Sequence, residues 1–231
     1  HQRLIYNIPR DPNDRGDPLL KMKDSKKITQ EVLARRLLYL PVDLGEKVLI
    51  WLTYKGLKPV SEITVIKRNL SKLRRGIRTN DYDFNSPKSK RIKKWLKDAG
   101  LFRVSESKYP GSWHIGKNPE EVKLSVKVIR KFDHENEILS GKLFGFPPKS
   151  VMAYAINRSL ETPDPDHPVL WPGDRYQNPD LKDKYFTPYI RYALDANMIE
   201  EDSKVAKTWA DTIRKDIPIL AKWYEKRSLK N

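Results

Sequence analysis

The chain has 231 residues, 38% hydrophobic, 10% aromatic and 33% charged, which is apolar enough to bury a core and excludes a disordered or low-complexity chain. The absence of cysteine excludes a disulfide framework, a thiol nucleophile, an iron–sulfur cluster and cysteine-ligated zinc. The 46 Lys and Arg against 30 Asp and Glu leave a formal charge of +16, which points to an acidic partner.

That charge is unevenly placed. Residues 1–40 carry +4, residues 41–66 balance, residues 67–97 carry +10, residues 98–131 carry +3 and residues 132–231 carry −1. The division predicts two portions, a basic one over 1–131 and a near-neutral helical one over 132–231, and the elements below make the chain an α+β protein. The longest apolar run, Val48 to Leu52, is far short of the roughly 20 residues of a membrane span, and no apolar stretch opens the chain at His1. A cytoplasmic protein with no membrane partner is therefore expected. Glutamine is confined to Gln2, Gln30 and Gln177 while Lys and Glu abound, a bias associated with hot environments.

In chain order, Asn7 to Pro18 reads as loop, and Ile28, Val32, Leu33, Leu37 and Leu40 recur at helical spacing up to Pro41. Asp43 as N-cap, Glu46 as its capping-box partner and Gly56 past the end frame a second helix with Leu44, Val48, Trp51 and Leu52 inward. Val60 to Ile66 is β-branched and reads as a strand, or as a short helix around Ser61. Ser86, Pro87 and Gly100 punctuate a helix that places Ile92, Trp95, Leu96 and Ala99 on one stripe and Lys90, Lys93, Lys94 and Lys97 on the other.

Leu101 to Ser107 and Trp113 to Ile115 then alternate around Lys108-Tyr109-Pro110-Gly111, a β-hairpin. Asn118 and Pro119 open a helix with Val122, Val126 and Ile129 as its buried face, helped by Leu124 and Val128. Glu135 to Phe144 and Ser150 to Leu160 are helical around the corner Gly145-Phe146-Pro147-Pro148, and Thr162 to Pro179, with five prolines, is loop. Thr187 and Pro188 predict a further helix with Ile190, Ala193, Leu194 and Asn197 on its face. Asp202 to Leu229 is helical with a kink or restart at Pro218.

A lysine-faced helix followed by a hairpin with a basic tip is the order of parts in a winged helix, with the helix along the major groove and Lys108 at the backbone. The competing reading is a β-α-β-β-α unit. Either exposes the same basic face: Lys67, Arg68, Lys72, Arg74, Arg75 and Arg78 from one cluster, Lys90, Arg91, Lys93, Lys94 and Lys97 from the helix, and Lys108. The expected partner is nucleic acid, duplex DNA before RNA, held through phosphates with little base reading because lysine contacts phosphate as a point charge. Tyr185, Tyr189 and Tyr192 beside Arg191 form either a base-stacking platform or a packed helix face, and the C-terminal helices could serve a protein partner.

Enzymatic signals are few. His1, His114, His134 and His167 show no metal-ligand spacing, so no metal site is assigned and no cofactor is expected. Asp133-His134-Glu135 reads as a helix cap and Asp164-Pro165-Asp166-His167 as a turn. Glu106-Ser107-Lys108 at a strand end resembles the E-x-K element of restriction-endonuclease-like nucleases, which implies a carboxylate holding Mg²⁺ and a lysine assisting the attacking water. The upstream acid would be Asp81, Asp83 or Glu62; acid-x-Lys triplets also begin at Asp24, Glu121, Asp180 and Asp202. Gly141-Lys142-Leu143-Phe144-Gly145-Phe146-Pro147-Pro148 resembles the Gly-Phe/Tyr-Pro signature of an uncharacterised archaeal protein family, which implies archaeal origin and an unassigned activity.

Overall fold

The computed structural model describes residues 28–65, 86–106, 111–131, 133–158, 160, 164–166, 168–170, 187–190 and 192–228. Thr29 starts the first helix, α1 (Gln30–Leu38), by accepting a hydrogen bond from the Val32 amide at 3.3 Å. Leu33 and Leu37 face inward, and Leu40 is buried just past the end. Asp43 stands at the N-cap of α2 (Leu44–Tyr54), and its side chain makes no cap hydrogen bond. The helix is held by packing, with every residue from Lys47 to Thr53 buried.

Strand β1 (Val60–Thr64) settles the ambiguity around Ser61: the segment is a strand, because its β-branched side chains sit on a pleat and its backbone finds a partner. That removes the helix that a winged-helix reading had placed at Ser61. Helix α3 (Pro87–Asp98) begins where Ser86 accepts from the Ser89 amide at 3.2 Å, and it ends at Gly100, whose φ of +68° favours glycine. Ile92, Trp95 and Leu96 are buried as its periodicity requires. Strands β2 (Phe102–Ser105) and β3 (Ser112–Gly116) form the hairpin, and the three strands lie antiparallel in the order β1-β3-β2.

The register decides what each sheet face carries. Ser61 pairs with Ile115 and Ile63 with Trp113, so this face meets α2 and α3 in the core. The opposite face carries Val60, Glu62 and Thr64 against Gly116, His114 and Ser112. It is covered by α4 (Pro119–Val128), which buries Val122, Ser125 and Val128. Leu124 is exposed, against expectation, because the buried stripe runs through Ser125 and Val128 and turns Leu124 outward.

Helices α5 (His134–Leu143) and α6 (Pro148–Arg158) form a pair around Gly145, whose φ is +69°. The expected helix at 187–197 is absent: Thr187–Tyr189 is a 3₁₀ turn, and Leu194–Asp195 is a strand, β5, paired with β4 (Val169–Leu170). Helix α7 (Ile199–Asp216) and, restarting at Pro218, α8 (Pro218–Ser228) are the last elements among the described residues. Trp51, Trp95 and Trp113 share one hydrophobic cluster with Tyr189, Tyr192 and Trp209, so the sheet portion and the last helices bury one another. Among the described residues, no helix is long and apolar enough to cross a membrane.

Candidate functional site

Two polar features lie on opposite sides of β3. On the α3 side, burial of Ile92, Trp95 and Leu96 leaves Lys88, Lys90, Lys94 and Lys97 exposed. Lys94 pairs with Asp98 at 3.6 Å, and Asp98 also holds Arg36 at 3.0 Å. Lys93 is half-buried, its ammonium 5.9 Å from the Trp113 ring centre, and the Arg103 guanidinium lies over the same ring at 4.7 Å. Arg91 turns toward α1 and donates to the Tyr39 carbonyl at 3.1 Å. Of the predicted basic face, Lys90, Lys94 and Lys97 therefore present their charge outward, while Lys93 and Arg91 are drawn back. Lys67, Arg68, Lys72, Arg74, Arg75, Arg78 and Lys108 lie outside the described residues.

On the other side, strand alternation places Glu62, His114 and Glu106 together under α4. Glu62 is the cross-strand partner of His114, and Glu106 follows β2 with its amide bonded to the Ser112 carbonyl at 3.1 Å. A ring nitrogen of His114 and one carboxylate oxygen from each glutamate all lie within 4.8 Å of one another. Arg130, just past the end of α4, grips Glu106 through both oxygens, Nε to Oε1 at 2.9 Å and Nη2 to Oε2 at 3.0 Å, and reaches Glu62 at 3.3 Å. Ser112 donates to Glu62. Glu106 is 3% exposed and His114 0%.

Hydrogen bonding orients the imidazole. Ser125 Oγ lies 2.7 Å from His114 Nδ1 and 2.8 Å from the Val122 carbonyl. Burial lowers the proton affinity of this imidazole, as does Arg130, against the opposing pull of Glu62 and Glu106. Among the described residues, Nε2 is buried with no hydrogen-bond partner.

Glu62 and Arg130 also form part of the wall of a cavity of about 540 Å³ between the sheet and the α5–α6 pair. Its lining mixes apolar Phe144, Phe146 and Val151 with a second ion pair, Arg158 to Glu137 at 2.9 Å. Lys58, 2% exposed, closes one side: it donates to the Phe144 carbonyl and lies over the rings of Phe146 and Trp209 at 4.6 and 4.4 Å.

Glu106 and Glu62, two of the acids considered for an E-x-K site, are thus neighbours, while Asp81, Asp83 and Lys108 fall outside the described residues. Tyr189 and Tyr192 are 2% and 5% exposed in the core, which removes them as a stacking platform; Tyr185 and Arg191 are not among the described residues. Asp133 caps α5 by accepting from Asn136, and Asp164 accepts from the Asp166 amide in a turn, as their spacing suggested. His114 escaped sequence reasoning because its partners sit 52 and 8 residues upstream. The available signal was alternation: with Trp113 and Ile115 inward, His114 must share the other face with Glu106.

Comparison with protein-family models, with curated proteins and with solved structures finds no match.

Proposed function

We propose that the protein binds nucleic acid, duplex DNA before RNA, with α3 of the β1–α3–β2–β3–α4 unit lying along the groove. The observation that supports this reading is an α3 whose core stripe leaves Lys90, Lys94 and Lys97 outward, followed by the β2–β3 hairpin. Residues 66–85, between β1 and α3 in sequence, add the Lys67 to Arg78 cluster to the same stretch of chain. Phosphate contacts supply the affinity, and the scarcity of Arg, Asn and Gln outward on α3 supports little base reading.

Fluorescence anisotropy on a labelled duplex over a salt series tests the proposal. Replacing Lys90, Lys94 and Lys97 by Glu should weaken binding at least tenfold and flatten the salt dependence by about one unit of slope for each phosphate no longer neutralised. Affinity and slope both unchanged in a variant with the parent's circular dichroism would overturn it. A second reading, a Mg²⁺-dependent nuclease, draws on the approach of Glu62 to Glu106. Incubating the same duplex with Mg²⁺ separates the two, since binding alone leaves the strands intact.

A further inference from the structure

Carboxylates beside a buried histidine are usually balanced either by protein cations or by a metal ion, and among the described residues Arg130 is the cation that pairs with both glutamates here. Arg130 offers one positive charge to Glu62 and Glu106, so with His114 neutral the group keeps a net negative charge. The deeper discrepancy is at His114. Its Nδ1 is engaged by Ser125, and among the described residues its buried Nε2 has no hydrogen-bond partner. A neutral imidazole oriented through its other nitrogen by a hydrogen bond is the form in which histidine ligates metals.

We infer that Glu62, Glu106 and His114, the last through Nε2, bind a first-row divalent ion of the zinc and manganese type, for which Arg130 is the resident substitute charge. The donor set selects the class: one imidazole and two carboxylates suit Zn²⁺ or Mn²⁺, whereas Mg²⁺ and Ca²⁺ favour all-oxygen shells and the chain has no thiolate for softer ions. Ligand bonds of about 2.0–2.2 Å put donors about 3.4 Å apart in a tetrahedral site. A ring nitrogen of His114 and one oxygen of each glutamate already lie within 4.8 Å of one another, so side-chain rotation on a fixed sheet suffices to bring the three groups to that spacing. Three protein ligands leave a coordination position for water or an anionic ligand. Access runs through the cavity, on whose wall Glu62 and Arg130 stand. Metal entry requires Arg130, at 39% side-chain exposure, to swing off Glu106. This inference is independent of nucleic-acid binding.

Long-range proton–nitrogen spectra of the unmutated, ¹⁵N-labelled chain give the direct test. Without metal, His114 should show the Nδ1–H tautomer; stoichiometric Zn²⁺ should move its Nε2 resonance and leave Nδ1 protonated, while equal Mg²⁺ leaves both in place. Shifts confined to His1, His134 or His167 would overturn the site. Calorimetry with Zn²⁺ on variants adds a sign that a merely structural cluster cannot give. Arg130→Gln should tighten binding at least tenfold by removing the competing cation, and Glu106→Gln should weaken it by a similar factor. Weaker or absent Zn²⁺ binding in a folded Arg130→Gln protein would overturn the proposal.

Discussion

Asp202 shows how a single carboxyl can work against the fold it belongs to. It is 4% exposed at the start of α7, accepts from Ser150, and lies near Asp195, itself buried. Burial raises its proton affinity above the ordinary 3.8, and the charges of Asp195 and Glu201 raise it further, against hydrogen bonds that lower it. The folded state therefore holds this proton more tightly than the unfolded chain. The stabilising difference is complete below pH 3.8 and is lost as pH rises through the folded value. Asp202→Asn removes the buried charge and keeps an acceptor for Ser150. Thermal melts should place it above the parent at pH 7 and converge with it toward pH 3; a lower melting temperature at pH 7 would contradict this account.

At the scale of elements, the α5–α6 pair depends on one absent side chain. A Cβ at Gly141 would lie 2.4 and 2.5 Å from the Val151 methyls and 3.0 Å from its Cβ, and valine has one strongly preferred helical rotamer with which to escape. Alanine gains about 1 kcal/mol over glycine within a helix, against about 1–3 kcal/mol for overpacking. Gly141→Ala should lower stability by about 1 kcal/mol in urea denaturation, and the same change in a Val151→Ala background should raise it.

The same scale shows what the sequence makes legible. Helix α3 is legible to within one residue because Ser86, Pro87, the 3.6-residue stripe and Gly100 are all local, and β2–β3 because a hairpin pairs with itself. The segment 187–197 misled because its apolar spacing imitates a helix. Its structure instead depends on β4, 25 residues upstream, and on Ala196 donating to the Pro168 carbonyl at 2.8 Å. The Glu62–Glu106–His114 cluster is half legible: Glu106 stands at a strand end in the sequence and Glu62 within a β-branched run, but their meeting depends on the β1–β3 register, which no local pattern encodes.

Across the whole molecule, the core does not divide where the charge does. Trp51 donates from Nε1 to Asp216 at 3.0 Å, Lys55 pairs with the same carboxylate at 3.3 Å, and α2 shares its cluster with Trp209 and Leu220. Burying both portions against each other makes separate unfolding costly, because each would expose the other's apolar face. Urea transitions followed by tryptophan fluorescence and by far-ultraviolet circular dichroism should superimpose on one curve. Two resolved steps would show that the last helices detach independently.

Strand β3 gives the lysine face and the buried carboxylates a shared foundation. Trp113 lies beneath Lys93 and Arg103 on one side of the sheet, and His114, the next residue, stands among Glu62, Glu106 and Ser125 on the other. One peptide unit separates them, so the alternation of a single strand sets a cation-covered indole and a buried imidazole back to back.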